Sequence, residues 1–229
     1  NCEVLYPAIN ELKSFPNKKK IIIFTGKLNT SKGYDIFGKT ITKILDRFDN
    51  WKAYAIGNER RESHSFKHKN FTIIDWLPHE KILNFYKKSS ISVVCSRWQE
   101  PFGRTAMESA AYGCATITTN RGGLSETFNN NLVLKDLNIP SLEKTISKII
   151  QNKRLLYKIQ RDNFKNVLHK MNFLTKKIDN LKSNYLTKKI NYIRNSNLKI
   201  LHISTFDEKN DHRLFNISIA NKLTKGFIR

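Results

Sequence analysis

Cysteine is scarce in the 229-residue sequence: Cys2, Cys95 and Cys114 are scattered, and none forms a C-x-x-C pair. That excludes a disulfide scaffold or a cysteine-based zinc module and suits a reducing compartment. Long apolar runs are missing too. None approaches the ~18 residues a spanning helix needs, and the N-terminal stretch holds no signal-peptide core. The expectation is therefore a cytoplasmic protein. Methionine occurs only as Met107 and Met171, and the sequence opens on Asn1, which reads as a fragment of a longer protein. There is no internal repeat and no heptad pattern sustained for three turns. Acidic residues are few, 19 against 41 Lys and Arg, for a net charge of +22.

The excess of positive charge is concentrated. Residues 152–199 hold 13 Lys and Arg against the two acids Asp162 and Asp179. Such a tract can face nucleic acid or an anionic membrane surface, and a peripheral contact at the inner face of the membrane is one expectation. The same stretch is rich in Asn and Ile, so biased codon usage is the weightier account. A basic nucleic-acid-binding module is the alternative reading of the whole chain. Against it, no recognition motif is present and the basic tract is not interleaved with aromatics.

Residues 1–18 carry Pro7 and Pro16 and read as an interdomain linker. After them the punctuation becomes regular. Ile21 to Thr25 is a continuous apolar run, the mark of a strand buried on both faces. An amphipathic helix follows from Tyr34 to Phe48, with Ile36, Ile41, Ile44, Leu45 and Phe48 inward. Further strands are expected at 51–56, 71–74, 91–95, 115–119 and 132–134, with helices between them near Ile82–Tyr86, over 103–112 and near Gly123. This alternation predicts an α/β fold, a Rossmann-like parallel sheet with helices on both faces. Helices fill 141 to about 194, and 198–229 reads as a trailing strand and helix. The expected domains are a binding domain over 19–155, a basic helical segment over 156–197 and a truncated second Rossmann-like unit over 198–229.

Ligands of an open parallel sheet sit beyond the carboxyl ends of its strands. After strand one comes Gly26-Lys27-Leu28-Asn29-Thr30-Ser31-Lys32-Gly33, whose two lysines suit an anionic group. After strand four comes Glu100-Pro101-Phe102-Gly103-Arg104, then Glu108 inside a helix rich in alanine. Pro101 and Gly103 shape a helix N-terminus, where free amides favour anions, and Arg104 adds a fork of donors. A carboxylate at Glu108, pressed close to the sheet, needs hydroxyl or amide donors, such as the paired hydroxyls of a sugar ring. After strand five, Gly122 and Gly123 open a short helix and offer backbone amides.

The pattern E-P-F-G-x-x-x-x-E, the G-G-L-x-E loop and G-K-L-x-x-x-K-G-Y-D resemble the donor-binding domain of retaining, family-4-type glycosyltransferases of the two-domain GT-B fold. The similarity covers about residues 15–155. It implies transfer of a sugar, with retention and without a metal, from a nucleoside-diphosphate sugar to a glycan or lipid-linked acceptor. The donor is a substrate, and no cofactor is implied. By this resemblance Glu108 holds the ribose hydroxyls, Lys27 and Lys32 bind the diphosphate, Gly26 is among the donor-binding residues, and backbone near Trp76 and Leu77 lines the base. Glu100, with the amides of Phe102 and Gly103, meets the sugar, flanked by Arg104, Gly122 and Gly123. Glu100, Lys32 and Lys27 are the expected catalytic residues. The family usually has arginine where Lys27 stands; lysine keeps the charge but not the bidentate fork. The resemblance also implies that an acceptor domain precedes the linker in the complete enzyme, so that this chain alone is inactive, and that 198–229 begins a second glycosyltransferase.

Overall fold

The computed structural model describes residues 4–129 and 132–193, the side chains of 184–193 excepted. The chain divides into two compact units, Asn1–Ile178 and Asp179–Arg229. The expected strand and helix over 198–229 lie outside the described residues.

The elements run β1 (Lys19–Thr25), α1 (Tyr34–Arg47), β2 (Lys52–Ile56), β3 (Phe71–Ile74), α2 (His79–Lys88), β4 (Ser89–Val94), α3 (Arg104–Ala111), β5 (Ala115–Thr119), β6 (Val133–Leu134), α4 (Ile139–Gln151), α5 (Lys153–Lys165) and α6 (Met171–Ile193). The six strands form one sheet in the order β3-β2-β1-β4-β5-β6, and every pairing is parallel. The expected Rossmann-like architecture is the one found. The chain order reverses between β1 and β4, which places the crevice of a doubly wound sheet above those two strands.

Alternation along each strand feeds two cores. Ile22 and Phe24 of β1, Ile91 and Val93 of β4, and Ala115 and Ile117 of β5 pack with Phe37, Ile41, Ile44 and Leu45 of α1 and Leu142, Ile146 and Ile149 of α4. The other face sends Ile23 of β1 and Ile56 of β2 against Tyr86 of α2 and Met107 and Ala111 of α3. Ala106 and Ala110 of α3 are fully covered beside Val94 and Leu124. Small residues let α3 approach the sheet closely, and that brings its N-terminus over the β1–β4 crevice.

β1, β4 and α4 start earlier than the sequence pattern suggests, β1 at Lys19. β4 includes Ser89 and Ser90 because their hydroxyls are satisfied locally, Ser89 on the Phe85 carbonyl and Ser90 on the Lys19 carbonyl. α4 begins at Ile139 because Asn138 caps it, accepting from the Ser141 amide at 2.8 Å, with Pro140 in the first turn.

The segment before β1 is built into the first unit. Ile9 is buried, and its backbone bridges His169 and Met171 at 3.0 and 3.1 Å. Lys18 donates to the carbonyls of Tyr86 at 2.8 Å and Tyr112 at 2.6 Å, so it closes the C-terminal ends of α2 and α3. Burial lowers its ammonium below the usual lysine range. At the other end, α5 packs Gln160 onto the Ser90 carbonyl and Asn163 onto the Cys114 carbonyl. The boundaries expected after residues 18 and 155 therefore fall inside the first unit rather than at its edges.

Candidate functional site

The loops after β1, β4 and β5 meet at the carboxyl ends of their strands. Asn29 shapes the first. Its Oδ1 accepts from the Lys32 amide at 3.0 Å, making a short 3-10 turn over Thr30–Lys32, and Gly33 follows at φ 75°. Only glycine fits at 33, because a β-carbon there would lie 2.0 Å from the Cys95 carbonyl oxygen. The second loop then folds onto the first. The amides of Arg97 and Trp98 donate to the Ser31 carbonyl at 2.9 and 3.1 Å. The Arg97 guanidinium grips both oxygens of Asp35, at 2.6 and 2.9 Å. Burial works to raise the Asp35 carboxyl, but the hydrogen bonds and charge of Arg97 outweigh it and hold the group below its ordinary value.

This clamp sets Lys32 beside Glu100, and the Lys32 ammonium donates to Glu100 Oε1. The two side chains line a cleft of 160 Å³ together with Gly26, Gly103, Arg104 and Ser96. The structure thus gathers Gly26, Lys32, Glu100, Gly103 and Arg104, five of the residues singled out by sequence, into one place. Gly103 precedes α3 at φ 98°, so the first turn of that helix opens into the cleft and adds its positive end.

Glu108 does not line that cleft. It sits one turn further along α3, its side chain 7% exposed, and Arg104 Nη2 and His79 Nε2 each approach its Oε1 at 3.0 Å. Beneath it, Tyr86 and Tyr112 have phenols pushed up by burial and further by the Glu108 charge.

The double glycine has a different job from the one expected. The Gly123 amide is taken by the Glu100 carbonyl at 2.7 Å, so it is not available to a ligand. A β-carbon on Gly122 would come within 2.3 Å of the Glu100 carbonyl oxygen, and one on Gly123 within 2.6 Å of that of Pro101. The pair allows the β5 loop to lie against the β4 loop.

Lys27 is also separated from Lys32. It is exposed and lines a neighbouring depression of 480 Å³ with Asn58, Glu59, Arg60, Arg61 and Trp76. Glu59 is held at about 2 by the side chain and amide of Arg61. Trp76 is 59% exposed, whereas Leu77 turns into the core below α2. Phe102 packs against the rings of Tyr6 and His169, at 5.5 and 5.1 Å between centroids. A larger depression of 940 Å³ lies between Arg47, at the C-terminal end of α1, and the first turn of α5. It is at the amino ends of the strands and has no part in this crevice.

Sequence reasoning missed His79, Asn29, Arg97 and Asp35. Arg97 and Asp35 meet only through the β1–β4 pairing, and 62 residues separate them. His79 followed a proline at a helix start, and nothing in that pattern ties it to α3.

The family model described as "Glycosyl transferases group 1" matches residues 7–167. Among curated proteins, the chain is 28% identical over 138 residues to spore coat protein SA of Bacillus subtilis, covering 53% of this chain and 37% of that protein. It is 25% identical over 160 residues to mannosylfructose-phosphate synthase of Agrobacterium fabrum, covering 62% and 35% respectively. Among solved structures, it matches the Anabaena protein Alr3699/HepE, crystallised with UDP and glucose, with a TM-score of 0.61 and 14% identity, over 72% of this chain and 48% of that one. The chain thus spans well under half the length of these curated relatives.

Proposed function

The chain belongs to the group 1 glycosyl transferases, and on that premise we propose that it supplies the donor site of an enzyme that transfers a sugar from a nucleoside-diphosphate sugar, with retention and without a metal, to a glycan or lipid-linked acceptor. The observation that carries this reading is the cleft at the β1–β4 reversal, where Lys32, Glu100, the N-terminus of α3 and Arg104 converge above a sheet. In the reaction, the bond between the sugar and the diphosphate breaks and the diphosphate gathers negative charge. Lys32 and the first turn of α3 face the place where that charge develops, preorganised by the Asn29 cap and the Arg97–Asp35 pair. Lys27, in the neighbouring depression, adds long-range attraction rather than a contact in the cleft. Glu100 stands where the sugar meets the diphosphate, with the amides of Phe102 and Gly103. Glu108 accepts the ribose hydroxyls, and Trp76 offers the base an exposed ring beside the β3 end.

Acceptor binding and closure over the donor are assigned to residues other than those described, so the reading gives this chain donor affinity without turnover. Peripheral contact with a membrane remains part of the proposal only for the basic helices, and no described helix is long and apolar enough to cross a membrane. The Anabaena protein was crystallised with UDP and glucose, which supports the choice of ligand class.

Calorimetric titration with UDP, GDP and ADP tests the reading. One of them is expected to bind. Glu108→Ala is expected to cost more affinity than Arg104→Ala, because a carboxylate accepting two ribose hydroxyls gains about 1.5–3 kcal/mol from each charge-assisted bond. Equal affinities in both variants overturn the role of Glu108.

A further inference from the structure

Two nitrogen-bearing side chains from two different helices lie against Glu108 Oε1, and Arg104 donates a hydrogen bond to it. Arg104 Nη2 reaches it from one turn back on α3, and His79 Nε2 reaches it from the first residue of α2, both at 3.0 Å. A carboxylate oxygen offers about two lone-pair directions; Arg104 takes one on Oε1, and the His79 ring crowds the same oxygen at 3.0 Å. Oε2 has no protein partner among the described residues. A ribose diol that places one hydroxyl on each oxygen therefore finds Oε2 open and Oε1 taken.

We propose that His79 is a specificity-determining residue of the donor site, a placeholder that occupies the position of one ribose hydroxyl on Glu108 and must leave when the nucleotide binds. The inference rests on the donor-site reading given above. The asymmetry between the two side chains decides which one yields. Arg104 is held on the same helix as Glu108, four residues away, and also lines the cleft. His79 has Glu108 as its one partner among the described residues, and its side chain is 54% exposed. Its ring can swing to water without leaving a buried group unpaired. Before a nucleotide binds, it gives a carboxylate that is 7% exposed a second polar neighbour against the penalty of desolvation. On binding, the diol replaces the imidazole and hydrogen-bonds the carboxylate. The cost of displacing His79 falls only on ligands that carry the full diol.

The test compares UDP, GDP and ADP with their 2′-deoxy counterparts by calorimetry on the 229-residue chain, for the wild type, His79→Ala and His79→Gln. In the wild type the ribonucleotide is expected to bind more tightly than its deoxy form. In His79→Ala the ribonucleotide is expected to gain about fivefold in affinity, roughly the cost of displacing one close polar contact. The deoxy form, which cannot use both carboxylate oxygens, is expected to gain little. The ribose preference therefore widens. His79→Gln, which returns an N–H donor of similar reach, is expected to bring it back toward the wild type. A purely structural role for His79 would move both ligands together, and that result overturns the proposal. So does a ribonucleotide affinity that falls or stays level in His79→Ala. If the wild type shows no ribose preference, or none of the three nucleotides binds, the role of Glu108 itself fails. If the preference exists and His79→Ala leaves it unchanged, only the placeholder role fails.

Discussion

The Gly123 amide donates to the Glu100 carbonyl at 2.7 Å, so the loops after β4 and β5 form one body. The Glu100 backbone is tied to the β5 loop, and its carboxylate lies beside Lys32. Gly122 sits at φ 57°, a conformation that costs any other residue. Gly122→Ala adds a steric conflict with the Glu100 backbone at 2.3 Å. We expect it to destabilise the protein by about 1–3 kcal/mol and to weaken nucleoside diphosphate binding more than the lost stability alone implies. Thermal melting and calorimetry on the same sample check both.

Glu100→Gln is expected to tighten binding of a nucleoside diphosphate. Lys32 now gives one of its donors to the Glu100 carboxylate, and that negative charge opposes the incoming diphosphate. At an effective dielectric near 20, two unit charges ~4 Å apart interact by about 4 kcal/mol. Solvent and the diphosphate's own counter-ions reduce this, and a gain of about three- to tenfold in affinity is the expected reading. A loss of affinity would show that Glu100 holds Lys32 in its working position rather than competing for it.

Affinity for the nucleoside diphosphate is expected to be the same with EDTA as with added Mg²⁺ or Mn²⁺. The motive is that Lys32, Arg104 and the N-terminus of α3 already converge on the cleft and supply its positive charge. A tenfold loss in EDTA that either ion restores would reveal a metal in the site.

Stability is expected to fall on the alkaline side. Burial pushes the Cys95 thiol from 9.0 up to about 12 and the Tyr34 phenol from 10.0 up to about 12. Above pH 9 the unfolded chain releases protons that the folded chain keeps. The folded state thus loses ground from pH 9 until both groups ionise near 12, at up to ~1.4 kcal/mol per pH unit for each group. Chemical denaturation at pH 8, 9.5 and 10.5 measures the slope. Tyr34→Phe should reduce it. The Tyr34 hydroxyl is buried without a hydrogen-bond partner among the described residues, so the same variant is also expected to raise stability at neutral pH, by up to about 1 kcal/mol.

The order and identity of the strands were readable because each is a short apolar run closed by glycine or a polar loop. Ile21–Phe24 and Ile91–Cys95 carry that signal on their own. The site was readable to the extent that it depends on chain-local chemistry, as in the P-F-G turn into α3 or the lysines after β1. What depends on two segments meeting was not. The amide of Gly123 looked free because nothing near it in sequence accepts it; the acceptor, at Glu100, lies across the sheet. Lys27 and Lys32 looked equivalent because spacing along a loop does not show which way the Asn29 cap turns it. His79 carried no local sign of its partner on α3. The same limit applies to the N-terminal stretch. Pro7 and Pro16 read as a linker, yet Ile9 docks on residues 169–171 through contacts that only the folded chain brings together.

The reversal of chain order has a kinetic consequence. Lys32 follows β1 and Glu100 follows β4, and those strands pair across a long stretch of chain, Lys19 opposite Ser89. The crossover through α1 sets β2 beside β1 within one βαβ unit, whereas β1 and β4 must find each other across far more chain. The cleft between the loops after β1 and β4 therefore forms only once that pairing is complete. A ligand that grips both sides of the cleft is then expected to lengthen the lifetime of the folded chain, acting mainly on the unfolding limb of a chevron.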